Sequence, residues 1–430
     1  MELRVSGGAR RLKGSIRVPG DKSITHRALL FGAMAEGITR LSGPMRAGVT
    51  EAMEDCLEAL GVEIEAARAN ETLVHGVRWQ TPDRLLDCRN SAATMRLLMG
   101  ALAASQIRAT LTGSSRLSER PMSRVADPLR RMGAQISGPN GHDGPPLSVV
   151  GSRLRGIEYR MPVPSAQVKT AILAAGLQAE GRTVIHEPVP TRDHSERLLA
   201  ALGVPLTSAN GTLSMEPRTS RLPPFELAIP GDLSAAAFPL AAAVLTPGSE
   251  LTVRGVGINP TRTGLLEVLR EMGAQIEIDR TPASEIEPSG DLTARYSDLR
   301  GTTIQGDRMV SMIDEFPILA VIATQAHGET RVLGAGELRL KESDRLASMT
   351  VELRKMGARI EEHAGGVTIE GPTPLTGARV DSHGDHRVGL ALAVAGGLAS
   401  GETILSGAQV IRESFPEFAA TLRSVGGQLE

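Results

Sequence analysis

Cationic side chains stand beside serine, asparagine or a carboxylate at the start of one apolar segment after another. Lys22, Ser23 and Arg27 open the first such segment, Asn90, Ser91 and Arg96 the second, and Ser165, Gln167 and Lys169 the third. Further along, Asp314 and Glu315 open an apolar segment, Asp385, His386 and Arg387 another, and Lys341, Glu342, Asp344 and Arg345 a more amphipathic one. If these segments are helices, their first turns offer unpaired N–H groups and a partial positive charge, which suits phosphate or carboxylate. Serine, aspartate and asparagine are ordinary helix caps, so any one cluster alone reads as structural. Recurrence with unlike residues shifts the balance, because a repeat needs only one kind of cap. The set points to a small, multiply anionic substrate with a carboxylate or two nearby to move protons.

Lysine is scarce: of 47 basic residues only five are lysines, and three of those (Lys22, Lys169 and Lys341) fall in these segments. The simplest cause of the scarcity is a bias toward arginine codons. An ammonium still offers a compact charge and a titratable proton that arginine does not. The stretch Arg116–Pro121, RLSERP, adds two more arginines just past a strand-like run and reads as a loop.

The positioning elements repeat. LEALGVEI, LRRMGAQI, LAALGVPL, LREMGAQI, LRKMGARI and LRSVGGQL carry Gly61, Gly133, Gly203, Gly273, Gly357 and Gly426, at spacings of 72, 70, 70, 84 and 69 residues. Each phrase reads as an amphipathic helix ending on a glycine able to take positive φ, with a strand next. Before each lies an Ala/Leu-rich segment without a wide polar face: SITHRALLFGAMA, AATMRLLMGALAA, AQVKTAILAAGLQA, LSAAAFPLAAAVL, DEFPILAVIATQA and DHRVGLALAVAGGLA. These read as buried helices. Short β-branched runs such as RATLTG, RTVIHEP, SELTVRGV, ETRVLGA and ETILSGA read as strands. The expected unit is therefore β-α-β-α-β, present six times.

IRVPGDKSITHRA at 16–28 is echoed by LAIPGDLSAAAFP at 227–239. The echo groups the repeats as three in 21–229 and three in 230–430, with 1–20 joining the second group. Two three-unit lobes, a double-stranded hinge and a cleft that closes on a ligand are the expectation. Net charge of −2 and an aromatic content of 2% argue against nucleic acid. No apolar run is long enough to span a membrane, no signal-peptide core opens the chain, and Cys56 and Cys88 are too few for a disulfide framework or a metal site. A cytoplasmic protein acting on small molecules is expected.

PGDKSITHRAL, NSAATMRLL, LTGSSRLSERPM, PSAQVKTAIL, MIDEFPILA, KESDRL and DHRVGLA, taken in order, resemble the enolpyruvyl transferase family, in the branch that makes 5-enolpyruvylshikimate 3-phosphate. The resemblance spans essentially the whole chain. It implies an α/β fold of two lobes, each of three inverse βαβαββ units. It also implies a monomer without metal or organic cofactor, and transfer of the enolpyruvyl group of phosphoenolpyruvate to the 5-hydroxyl of shikimate 3-phosphate. Carried over by position, Asp314 takes the hydroxyl proton, Glu342 shuttles the methyl proton, and Lys22 touches both substrates. Shikimate 3-phosphate falls to Lys22, Ser23, Arg27, Ser165, Ala166, Gln167, Arg192, Asp314 and Lys341, and phosphoenolpyruvate to Lys22, Ala92, Arg120, Gln167, Arg345 and Arg387.

Two positions depart from the family pattern. Asn90–Ala93 reads NSAA where many members read NAGT, so Ala92 adds a methyl beside phosphoenolpyruvate, and Glu413 stands where several members carry a phosphate-binding lysine. Both changes, with PSAQ and TRDH, resemble the branch poorly inhibited by glyphosate. Two other readings stay open. One is enolpyruvyl transfer to a UDP-sugar, whose enzymes typically carry a loop cysteine that RLSERP lacks. The other is a non-catalytic phosphate-sugar binding protein, which has no need of Asp314 and Glu342.

Overall fold

The computed structural model describes residues 1–430 apart from Ala9, Ala69, His142 and 282–285, with the backbone only of Asn140. It divides into two compact units: unit 1 is Met1–Pro19 with Pro230–Glu430, and unit 2 is Gly20–Ile229. The chain passes between units at the two Pro-Gly-Asp phrases found in the sequence.

One sheet plan recurs in all six sheets among the described residues. In unit 2, strand Glu226–Ala228 runs parallel to Gly37–Ser42, which pairs antiparallel with Glu71–Gly76, which pairs antiparallel with Glu63–Arg68. Leu86–Asp87, Arg108–Thr112, Leu147–Val150 and Gln135–Ser137 repeat that order, as do Glu158–Arg160, Thr183–His186, Thr212–Met215 and Leu206–Ala209. Unit 1 repeats it twice in full, and one of those sheets takes the N-terminal strand Lys13–Ile16 as its parallel edge beside Glu250–Gly257. The last sheet has three strands: Arg379–Asp381, Glu402–Ser406 and Glu2–Ser6. Its expected fourth strand, after Gly426, shrinks to a single bridge between Val5 and Leu429. Backbone bonds between Arg4 and Glu430 nevertheless continue the pairing in both directions.

Each repeat carries one buried and one amphipathic helix. The buried helices are Lys22–Met34, Ala92–Ala104 and Ala166–Gly176 in unit 2, and Leu233–Leu245, Phe316–Gln325 and His386–Leu398 in unit 1. Their small-residue composition lets backbones approach closely. A Cβ on Gly100 would lie 2.2 Å from the carbonyl oxygen of Ala171, so only glycine permits this packing of the second helix on the third. The amphipathic helices end before Gly61, Gly133, Gly203, Gly273, Gly357 and Gly426, all six at positive φ, the conformation that lets the chain turn into the next strand.

Three local expectations differ from the structure. The helix expected from Asp314 starts at Phe316, because Glu315 is its cap residue and Pro317 suits the first turn. RLSERP is not wholly a loop: Ser114 accepts a hydrogen bond from the Leu117 N–H and nucleates a helical turn over Ser115–Ser118. The strand after Gly426 is the bridge described above. Cys56 and Cys88 are buried free thiols. Among the described residues, no helix is long and apolar enough to cross a membrane.

Candidate active site

In unit 2 the first turns of the three buried helices are tied together by polar side chains. Asp21, Ser91 and Ser165 cap them, each accepting from a backbone N–H three residues on. His26 links the first helix to the second: Nδ1 lies 2.7 Å from the Lys22 carbonyl oxygen, and Nε2 lies 3.1 Å from that of Val49 and 3.3 Å from Ser91 Oγ. A neutral ring can donate to only one of the two carbonyls: with its proton on Nδ1 it serves Lys22 and accepts from Ser91 at Nε2, leaving the Val49 carbonyl without a donor from the ring. Arg96 links the second helix to the third, donating to Gln167 Oε1 at 2.7 Å and to the Pro121 carbonyl at 3.0 Å, next to Arg120. Arg27 links the first to the third, donating to Thr170 Oγ1 at 2.9 Å, the Ala166 carbonyl at 3.3 Å and Ser195 Oγ at 2.8 Å. Arg192 donates to Ser23 Oγ at 3.3 Å.

Lys22, Ser23, Arg120, Ser165, Ala166, Gln167 and Arg192 are half-buried, whereas Ala92 and Arg27 are buried. Unit 2 thus gathers helix N-termini and the cations Lys22, Arg27, Arg120 and Arg192, the donor set for an anion.

A buried ion cluster fixes the segment that carries Arg192. Lys169, 1% exposed, lies 3.0 Å from Glu187 Oε2 and 2.5 Å from Glu196 Oε1. Glu187 Oε1 in turn accepts from the Thr191 N–H at 3.1 Å and its hydroxyl at 2.5 Å. Burial pushes the Glu196 carboxyl above its usual range, with Lys169 opposing it. Lys169 is legible in the sequence but its partners are not: Glu187 lies in the loop after the Thr183–His186 strand, and Glu196, in the first turn of the His194–Ala201 helix, reads as an ordinary helix-start carboxylate.

Unit 1 is organised around Arg345, whose side chain is fully enclosed. Its Nε donates to Asp385 Oδ2 at 2.8 Å, Nη1 to Asp314 Oδ1 at 3.1 Å and Nη2 to Glu342 Oε2 at 2.7 Å. Those three carboxylates outweigh the cost of burial and hold the guanidinium well above its usual range. Arg387, also buried, reaches Asp314 from the other side, 3.5 Å from Oδ2 and 3.4 Å from the backbone carbonyl. Asp385 caps the His386–Leu398 helix, and Asp344 caps Arg345–Lys355. Lys341 and Glu342, both half-buried, lie between the 3₁₀ turn Gly336–Leu340 and that cap, and half-buried Glu413 ends another 3₁₀ turn.

Unit 1 therefore sets two carboxylates, Asp314 and Glu342, on one guanidinium, with Asp314 shared by a second. Asp385, which completes the cage, was read from the sequence only as part of a helix start. A separate group, Glu63, Glu65 and His75, is the one set of potential metal ligands brought together among the described residues, and two of its members are exposed. None of the residues above belongs to it.

A family model described as EPSP synthase (3-phosphoshikimate 1-carboxyvinyltransferase) matches residues 7–422. The chain is 46% identical over 428 residues to the 3-phosphoshikimate 1-carboxyvinyltransferase of Desulforamulus reducens, covering 99% of each chain. It is 48% identical over 425 residues to that of Prochlorococcus marinus, covering 97% of this chain and 96% of the relative. Among solved structures it resembles the EPSP synthase of Acinetobacter baumannii, with a TM-score of 0.89 and 38% identity, covering 100% of this chain and 99% of the other. The enolpyruvyl transferase NikO of Streptomyces tendae, at TM-score 0.82, 19% identity and 100% and 98% coverage, shares the fold. With one sheet plan complete in five sheets and shortened in a sixth among the described residues, its helix-start clusters and near end-to-end similarity to named relatives, this chain belongs to the EPSP synthase family.

Proposed function

We propose that the protein transfers the enolpyruvyl group of phosphoenolpyruvate to the 5-hydroxyl of shikimate 3-phosphate and releases phosphate. The observation that carries this reading is the pair Asp314 and Glu342 on Arg345, 3.1 and 2.7 Å from its nitrogens. A binding protein needs the cations but not two carboxylates held for proton transfer.

In the proposed reaction Asp314 accepts the hydroxyl proton as that oxygen bonds to C2 of phosphoenolpyruvate, and Glu342 gives a proton to C3. The resulting tetrahedral ketal then collapses: C3 returns its proton to Glu342, the C2–O bond to phosphate breaks, and the departing phosphate takes the proton that Asp314 accepted, restoring both carboxyl groups to their starting states. Neither metal nor organic cofactor enters these steps. Shikimate 3-phosphate is assigned to Lys22, Ser23, Arg27, Ser165, Ala166, Gln167, Arg192 and Lys341, with Asp314 at its 5-hydroxyl. Phosphoenolpyruvate is assigned to Lys22, Ala92, Arg120, Gln167, Arg345 and Arg387. Because Arg345 is already surrounded by carboxylates, its contact with phosphoenolpyruvate requires one of them to give way. Glu342 lies on the approach segment rather than in the core, and exchange there also frees the acid from its cation when the acid is needed.

The finer expectations follow the same resemblance. Ala92, 3% exposed in the first turn of its helix, narrows the phosphoenolpyruvate subsite and makes the enzyme tolerant of glyphosate. The enzyme works as a monomer in the cytoplasm. Asp314→Asn and Glu342→Gln test the central roles: each is expected to lower kcat at least about a hundredfold with both substrates still bound. Turnover within a few-fold of wild type in either variant removes that residue from the mechanism.

A further inference from the structure

Asp314 and Glu315 are consecutive, yet their side chains enter different surroundings. Asp314 meets Arg345 and Arg387. The Glu315 side chain, 0% exposed, turns into unit 1 instead and makes no hydrogen bond to its own helix. There it accepts a hydrogen bond from Ser234 Oγ and lies 3.6 Å from Arg262 Nη2. The same Arg262 nitrogen donates to Ser234 Oγ at 2.7 Å and to Asp232 Oδ1 at 3.3 Å, and Asp232 caps the helix that Ser234 opens. Arg262 is itself 3% exposed.

A buried carboxylate is costly beside a hydrophobic residue of the same size, so this cluster is poorly explained as a stabilising device alone. Its geometry has a specific consequence. The peptide joining Asp314 to Glu315 is held by cations on both sides, at a helix start that has no side-chain cap of its own. The tripeptide Pro260–Thr261–Arg262 repeats Pro190–Thr191–Arg192, and both threonines anchor through N–H and hydroxyl to one nearby acceptor: Asn259 Oδ1 at 2.9 and 2.7 Å, and Glu187 Oε1 at 3.1 and 2.5 Å. In unit 2 the resulting arginine reaches Ser23; in unit 1 it reaches Ser234 and, beyond it, the protein's own Glu315. The same local device holds a side chain at each place.

We infer that Arg262 and Ser234 are positioning residues for the proton acceptor Asp314, acting through Glu315. The inference rests on the proposed role of Asp314. Disturbing the clamp lets the start of the Phe316–Gln325 helix shift while the substrate-binding cations stay in place. Misplacement of a reacting group by about 1 Å costs roughly a hundredfold in rate.

The test uses the full-length protein with Arg262→Met, Arg262→Lys and Ser234→Ala, alongside Asp314→Asn as reference. Ser234→Ala removes a single hydroxyl and guards against a variant that fails to fold, and circular dichroism reports the folded fraction. The expected result is a kcat reduced about ten- to hundredfold in Arg262→Met and less in Ser234→Ala, partly restored in Arg262→Lys, with both KM values within about twofold of wild type. Normal kcat per folded molecule in Arg262→Met and Ser234→Ala, with Asp314→Asn inactive, overturns the inference and leaves the role of Asp314 standing. An active Asp314→Asn overturns both.

Discussion

Mild acid should loosen unit 2 through one residue. His26 is completely buried, and burial, reinforced by the nearby charges of Lys22 and Arg27, pushes its imidazole from 6.5 down to about 4, although the carbonyls of Lys22 and Val49 pull the other way. The unfolded chain takes up a proton there as pH falls through about 6.5, whereas the folded chain resists until about 4. Below the unfolded value the unfolded state binds more protons, so the contribution is complete above about pH 6.5 and is lost on acidification toward pH 4. The gap between the two values, at about 1.36 kcal/mol per unit, comes to roughly 3 kcal/mol, of which about 2 kcal/mol is already lost at about pH 5. Trp79 provides the readout: it is the only tryptophan, and its Nε1 donates to the Ala33 carbonyl of the same helix at 3.2 Å. Urea unfolding followed by its fluorescence, near neutrality and at about pH 5, should show wild type losing about 2 kcal/mol more than His26→Gln, whose side chain does not titrate. Parallel losses in the two proteins would refute the reasoning.

Two further outcomes follow. Lys169→Met strips the cation from buried Glu187 and Glu196 and should destabilise unit 2 by about 3–5 kcal/mol, with the deficit shrinking at acidic pH as Glu196, whose carboxyl burial already pushes up, protonates; thermal unfolding at two pH values checks both parts, and a change below about 1 kcal/mol contradicts the cluster's role. Ala92→Gly removes the methyl proposed to exclude glyphosate, so inhibition should strengthen at least about tenfold, a difference of about 1.4 kcal/mol, while KM for phosphoenolpyruvate changes little; an unchanged inhibition curve dismisses the methyl as the cause.

The repeats were legible because each copy writes its own ending. A glycine at positive φ and an alternating strand are local requirements, and all six glycines adopt the required conformation. Buried helices were equally visible, since nothing but burial explains Ala/Leu segments with no polar face. Phe316–Gln325 starts two residues after Asp314 because Glu315 occupies the cap position without a side-chain cap bond, and both carboxylates serve partners distant in sequence that no local pattern reveals. The last strand was overestimated because a pattern of residues carries no information about how much neighbouring chain remains to pair.

Within the site, residue types at helix starts were readable, but their pairings were not. Arg27 with Ser195 and Arg345 with Asp385 join residues 168 and 40 positions apart, and only the packing of repeats around one another brings them together. Arg262 does carry a sequence signal, since Pro-Thr-Arg occurs before two amphipathic helices, at 190–192 and at 260–262.

The most direct test of the central claim is phosphate release from phosphoenolpyruvate with shikimate 3-phosphate or UDP-N-acetylglucosamine as sole acceptor. The account predicts release with shikimate 3-phosphate alone, abolished in Asp314→Asn and Glu342→Gln. Release with only the UDP-sugar, or with neither acceptor, would contradict it.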